Sequence, residues 1–576
     1  MGKLASAPYT DGYGKATQLQ FGGLHHRKAC ADGEIYDMKN MSADDYPLLR
    51  PRKRRTLQTV NTNLHAIFGY EKLVSVQGTG LYYGGVLRGN VTAGEKRITA
   101  MGARIVIWPD KVILNAKYER LGVFATLDAL KAGVSGQKEN DAYGVGSGVP
   151  YEIYVWNGSE WVSNGKEVQE IEVSVGVSSL QFQNGTYEGV EAECNTLYRA
   201  GMNWADYFKV GDAVTISGCT KHTENNKTPI IREIDGGYLR FYENTFVLDG
   251  TEGKTDYTET GITLARTAPD LDYICAVDNR VWGCRGDTIY ASKLGDPANW
   301  NCFEGISTDS YFVDAGTPGD FTACVGYLGY PTFFKEDNLY KMYGSKPTNY
   351  QLQASATLGV ARGLHKTLAV AGERLFYVSR AGVVSYSGGV PEVISQKLGD
   401  EVFTEGAAGS DGKKYYASLY GKDGWNVYVY DTDSGLWMKE DELAAEGFAW
   451  ADRTLYCLAA GGALWKMNQE PESGQEQAVT SFAEFGDFTE GSLDRKKYIK
   501  MQIRLEVETG EAMVSVQYDG EEQWHVLKVF KAVQEKTSVL LSFRPRRCDR
   551  FRIRIDGTGA YTVYGITRKV YGGSEI

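Results

Sequence analysis

Five basic side chains crowd into six residues of the stretch YPLLRPRKRRTLQ, positions 46–58: Arg50, Arg52, Lys53, Arg54 and Arg55. Guanidinium and ammonium groups at that density bind phosphates, act as a localisation signal, or pair with carboxylates. The surrounding chain is acidic, with a formal net charge of -11. That opposes a general nucleic-acid surface, because neutralising phosphates takes a basic face. Pro47 and Pro51 disfavour helix here and favour extended backbone. Extended basic chain beside a folded body suits docking on an acidic neighbour, with Arg supplying bidentate pairs. We therefore expect at least two of these five residues at a subunit boundary or at the contact with an adjacent protein. The competing expectation is that they are solvated or fold back onto carboxylates of their own body.

Other chemistry-bearing residue types do not gather into a site. Arg550, Arg552 and Arg554 line one face of CDRFRIRIDG, a row that is ordinarily solvated or paired with carboxylates on a neighbouring strand. DTDSG at Asp431 begins like a calcium loop but lacks the third acidic position and the distal Glu, so it reads as a hairpin turn. There is no GxSxG, HExxH, P-loop or Rossmann fingerprint, and GYGKATQ has the wrong spacing for a P-loop. Glycoside hydrolysis needs a placed pair of carboxylates, and nothing singles out a pair among the 73 Asp and Glu. The nine cysteines are scattered, odd in number and without a CxxC, so neither a disulfide framework nor a zinc site is expected. The six histidines are spread too thinly for a ligand cluster; His25-His26 is the one pair. The expectation is a non-enzyme with no catalytic residues, no cofactor and no metal.

The elements that must carry these residues are strands. The 576 residues hold 68 Gly, 38 Tyr and only 14 Pro, a composition of many tight turns between strands. No apolar run of about 18 residues exists, so no membrane-spanning helix is expected. The first residues lack an apolar core, so no signal peptide is expected either. Gly2 with Ser6 fits a myristoylation pattern only loosely. A hairpin unit recurs in LVSVQGTGLYYGG, ICAVDNRVWGCRGDTIYAS, PTFFKEDNLYKMYG, TLAVAGERLFYVSRAGVVSYSGG, KYYASLYGKDGWNVYVYDTDSGLW and FAWADRTLYCLAAGGALWKMN. Its Asn, Asp and Gly turns tolerate the backbone angles of tight hairpins. Repetition at about 40–50 residues predicts propeller blades; a plain β-sandwich or β-rich array is the alternative.

The fold class expected is all-β: an irregular β-propeller body with an inserted β-barrel-like domain and a C-terminal β-sandwich. The boundaries are an N-terminal arm at 1–30, a discontinuous propeller at 31–116 and 269–468, an inserted domain at 117–268 and a sandwich at 469–576. A helix is expected in LGVFATLDALKAGV, and a linker in NQEPESGQEQ. Two polar loops, SGQKENDAYGVGSG and GTEGKTDYTETG, read as mobile because they lack packing residues.

MKNMSADDYPLLRPRKRRT, GDAVTISGC with NNKTPIIREI, NRVWGCRGDTIYASKLGDPANWNCF, and RPRRCDRFRIRIDGTG with YGITRKVYGGS occur in that order. In this order they resemble the tail nozzle proteins of short-tailed bacteriophages, the tail tubular protein B-like group. The resemblance covers most of the chain from about residue 30. It implies a structural virion protein: a homohexameric ring around the DNA exit channel, docked to an upstream tail adaptor and carrying fibres or spikes. Viral DNA would pass without sequence-specific binding, and the protein would reside in the virion tail after assembly in the host cytoplasm, with no membrane insertion. A lumen that must not hold DNA suits an acidic chain. The alternative from another class is a β-propeller glycan-binding or glycan-cleaving protein.

Overall fold

A computed structural model describes residues 13–27, 30–187, 190–242, 245–251, 253–467 and 476–574. The first twelve residues of the expected arm and most of the expected linker lie outside the described residues. Strands take 54% of the chain and helix 4%, so the fold is all-β. No helix among the described residues is long and apolar enough to cross a membrane.

Among the described residues, seven four-stranded antiparallel sheets follow the meander order of propeller blades. They span 64–90, 97–115 with 168–170, 273–314, 323–356, 369–393, 405–439, and 445–466 with 56–60. The chain divides into two compact units, one of residues 63–360 and one of 1–62 with 361–576. The first four blades belong to the former and the last three to the latter.

In unit 63–360, period-two alternation lets a single strand serve two interfaces. Ile105 and Ile107 of Arg104–Trp108 pack against Val74, Val76 and Leu81 of the first blade. Val106 and Trp108, on the opposite face, pack with Ile274 and Val281 of the third. A strand buried on both faces reads as the near-continuous apolar run RIVIW. The third and fourth blades join the same way, through Trp282 and Ile289 against Phe333 and Tyr340.

The stretch 117–268, expected as one inserted domain, is two bodies separated by a blade strand. The first carries the strands Val123–Phe124, Ala142–Val145, Glu152–Trp156 and Trp161–Lys166. It also holds the helix Leu127–Gly133, N-capped by Thr126, whose Oγ1 accepts the Ala129 N–H. Val168–Glu170 then returns to complete the second blade by pairing with Val112–Asn115. The second body, 173–266, joins a five-stranded and a three-stranded sheet around one core that includes Phe182, Leu197, Trp204, Ile216, Leu239 and Leu264, a barrel-like arrangement. The two loops expected to lack packing residues do not lack them. Ala142 is buried in the first, and Tyr257 and Glu259 are buried on a strand of the second.

In the other unit, the last blade takes its outer strand, Thr56–Val60, from far upstream by pairing with Ala463–Lys466. The C-terminal sandwich is one sheet folded over. Arg495–Tyr518 pairs along its whole length with His525–Cys548. On its other side it pairs first with Tyr561–Ser574 and then with Phe551–Thr558. The two limbs face each other, and Tyr498 of one stacks on Phe551 of the other with ring centroids 4.0 Å apart. The sequence boundaries shift accordingly. Tyr13–Gln18 pairs with Tyr561–Ser574, and Ile35–Lys39 pairs with Thr480–Phe485. Residues expected as free arm and as the start of the propeller therefore complete the sandwich.

Candidate interaction surface

The basic stretch divides into an inner and an outer set. Met41–Ser42 and Arg50–Pro51 form a short antiparallel hairpin, which aims the following residues at the unit's own interior. Arg52 forks onto Glu476, with Nη1 and Nη2 each donating at 2.8 Å, and Nη2 also reaches Asp441 at 3.1 Å. Its Nε donates to Asn40 Oδ1 at 2.8 Å. Arg55 donates to Asp441 from both terminal nitrogens, at 2.8 and 2.9 Å, and to Glu440 at 2.6 Å. The two guanidinium side chains are only 2% and 3% exposed. This clasp joins three distant segments: 40–55, the turn after the sixth blade, and the start of the sandwich at Glu476.

The electrostatics follow from the geometry. Burial alone would raise the Asp441 carboxyl, but Arg55 and Arg52 hold it below its ordinary value. Glu476 is likewise lowered, against its burial, by Arg52 and Arg55. Burial works against the Arg55 charge, yet Glu440 and Asp441 raise its pKa above the ordinary value. A matched buried network of this kind specifies one arrangement, and removing one member leaves the others uncompensated.

Arg52 and Arg55 are thus committed to carboxylates of their own chain. Arg50, Lys53 and Arg54 remain on the outside. Arg50 is partly exposed and pairs with Asp45 at 3.0 Å and Glu508 at 3.1 Å. Lys53 is exposed and Arg54 half-buried. In the arginine row of the sandwich, Arg552 pairs with Asp487 at 2.7 Å and Glu484 at 3.2 Å, Arg554 with Glu484 at 3.3 Å and with Asp556 of its own strand at 2.9 Å, and Arg550 donates to the Asp519 carbonyl at 3.1 Å. At the DTDSG turn, Asp431 accepts the N–H groups of Asp433 and Ser434, a side-chain-closed hairpin turn.

In unit 63–360 the motif NRVWGCRGDTIYASKLGDPANW builds a buried polar joint. Arg280, 1% exposed, donates to the carbonyls of Ser292, Ser307 and Asp309 and so holds the loop after its own hairpin. Asn299 donates to Gly211 O at 2.9 Å, and Asp212 pairs with Arg266 at 2.7 Å, both side chains buried. Trp300 meets Trp108 edge-on at 5.6 Å. These residues lock the barrel-like body onto the second and third blades. Sequence reasoning marked the motif through its resemblance but had no means of assigning it this structural duty.

An open cleft of about 820 Å³ lies beside that joint, lined by Lys227, Pro229, Tyr242, Phe303, Glu304 and Ile306 among others. Glu304 is the carboxylate among its described lining residues.

Among the described residues, the C-terminal sandwich leaves one long strand edge open. Among the described residues, His525–Cys548 pairs with Arg495–Tyr518 and with no other strand. Twenty-four residues of strand amount to a contour of about 80 Å. The strand holds six Lys and Arg to one Glu. It also exposes Val526 (56%), Val529 (41%) and Leu540 (57%). Nothing in the alternation of this strand marked it beforehand as an edge, because edge status depends on which strands fail to arrive.

No family model matches the chain, and no curated protein matches it. Solved structures overlay weakly. One, a BBS1 N-terminal domain in complex with ARL6, shares 12% identity over 57% of this chain and 87% of its own, at TM-score 0.24. A second, the exo-β-1,3-galactanase of Phanerochaete chrysosporium, shares 11% over 69% and 100%, at TM-score 0.21. A third, a putative exported protein of Bacteroides fragilis, shares 9% over 50% and 84%, at TM-score 0.21. At these scores the overlays decide nothing about function, and the propeller character rests on the chain's own sheet order.

Proposed function

We propose that this protein is a structural component of a bacteriophage tail, a ring-forming nozzle around the DNA exit channel that docks on an upstream adaptor. The observation that carries the reading is the long basic edge strand His525–Cys548 on an otherwise acidic chain. Unpaired strand edges invite another strand, and native proteins blunt theirs with short strands, charged side chains or Pro; this edge is long, and its basic charge opposes a second copy of itself while favouring an acidic partner. A basic edge facing the acidic remainder of a second copy gives a heterologous contact, and such contacts repeated by rotation close into rings. The order of the four resembling motifs supports the tail assignment in particular. Arg50, Lys53 and Arg54 are the members of the basic stretch on the outside of the clasp, and we assign the subunit or adaptor contact to them.

The test is negative-stain microscopy with mass measurement of the purified full chain, alone and with the upstream tail ring. Rings with a central hole, lost on introducing Asp at both Val529 and Leu540, support the reading. Discrete monomers that stay monomeric at high concentration and do not attach to the tail ring overturn it.

A further inference from the structure

We propose that His25, Cys30 and Glu34 form a binding site for a zinc-class divalent cation. His25 Nδ1, Cys30 Sγ and a Glu34 carboxylate oxygen all lie within 4.8 Å of one another. An imidazole nitrogen, a thiolate and a carboxylate are the donor set that zinc prefers. Calcium and magnesium would call for oxygen alone. Three protein donors leave a fourth tetrahedral position for water or a further ligand.

The described residues 25–27 and 30–35 bring the three donors together. The Ala31–Glu34 turn closes through the Glu34 N–H to Ala31 O at 3.0 Å and passes through Gly33, whose φ of 91° suits glycine. The His25 N–H is held by Ile35 O at 2.8 Å, which brings the imidazole back over the turn. Cys30 fits because position 486 is glycine: a Cβ there would lie 2.9 Å from its sulfur. The Glu34 carboxylate is already oriented. One oxygen takes the Ala31 N–H at 2.9 Å and is hydrogen-bonded to His25 Nδ1, a contact the metal ion would replace, and the other pairs with Lys397 at 2.9 Å. Lys397 therefore occupies the oxygen turned away from the imidazole. His25 and Glu34 are 16% and 20% exposed, which leaves a route in from solvent.

A second cluster, Cys302, Glu304 and Asp309, has similar donors but already holds a cation. Lys293 Nζ lies 3.2 Å from Cys302 Sγ and 3.7 Å from Glu304. Here the ammonium sits on the sulfur that would ligate, whereas Lys397 meets only the Glu34 oxygen turned away from His25, so this cluster serves as an internal control.

The experiment is a cobalt(II) titration of the reduced full chain, read by absorption. Thiolate ligation gives a near-ultraviolet charge-transfer band, and tetrahedral coordination gives visible bands. The expected result is one equivalent of bound cobalt with the thiolate band, displaced by zinc. Cys30→Ser removes the band, His25→Gln weakens binding by about a hundredfold or more, since even outer partners of ligands are worth about 10–100-fold, and Cys302→Ser leaves the titration unchanged. Circular dichroism of each variant checks that the fold is intact. Absence of a thiolate band in the wild-type chain, or its persistence in folded Cys30→Ser, overturns the proposal. A band that disappears with Cys302→Ser instead overturns it equally, by moving the site to the second cluster.

Discussion

Replacing Arg55 by Met tests the buried clasp most directly. The substitution keeps the aliphatic bulk but removes the guanidinium that answers Glu440 and Asp441, whose side chains are 4% and 20% exposed. Three carboxylates, with Glu476, then face Arg52 alone. Breaking a buried pair by deleting one partner costs about 3–5 kcal/mol, because the remaining charge is left uncompensated. For a unit of this size each kcal/mol moves a thermal transition by about 2–4 °C, so the transition of unit 1–62 with 361–576 should fall by about 6–20 °C. Calorimetry reads the shift. Limited proteolysis within residues 20–55 reads the local release, which matters because a chain of two units need not unfold in one step. Arg54→Met, outside the clasp, should stay within about 0.5 kcal/mol. Adding Asp441→Asn to Arg55→Met should recover part of the loss, since the two sites are in contact and couple. The pH dependence has a definite sign. Asp441 and Glu476 have folded values below the ordinary 3.8 and 4.5, so their stabilisation is present above those values and is lost as pH falls through the lower folded ones. The gap between wild type and Arg55→Met should therefore narrow below about pH 4. A loss under about 1 kcal/mol at neutral pH, or a gap that widens in acid, would refute the reasoning.

Asp212→Ala leaves buried Arg266 without its 2.7 Å partner, and it should destabilise the barrel-like body by about 3–5 kcal/mol, seen as faster proteolysis within 173–266. Charge reversal at Arg50, Lys53 and Arg54 should weaken ring assembly or tail attachment most at low salt while leaving monomer melting within about 1 kcal/mol; unimpaired assembly at both low and high salt removes these residues from the contact. Cys457 and Cys548 are buried and their thiols are pushed up to about 12, first by burial, so they should resist a thiol reagent at pH 8 in the native chain and react on unfolding.

Local pattern made the fold class readable. Apolar runs such as RIVIW, the alternation in RFRIRIDG, and turns at Asp, Asn and Gly dictate strands and hairpins through side-chain period and backbone freedom, which act over a few residues. The helix expected in LGVFATLDALKAGV forms at Leu127–Gly133, and the structure adds its Thr126 cap. Pairing between remote segments was not. That Thr56–Val60 closes the last blade, that Val168–Glu170 returns to the second, and that Ile35–Lys39 joins the sandwich follow from which edges remain open after the rest has folded. The same limit governs the charges. Sequence put five basic residues in one stretch, but only the tertiary structure decided that Arg52 and Arg55 turn inward to Glu440, Asp441 and Glu476, residues some 385–424 positions away. His25, Cys30 and Glu34 sat within ten residues in plain view. Their spacing matched no ligand motif, and a turn at Gly33 with a glycine at 486 was needed to bring the three donors together, because coordination is set by distances in space and not by intervals along the chain.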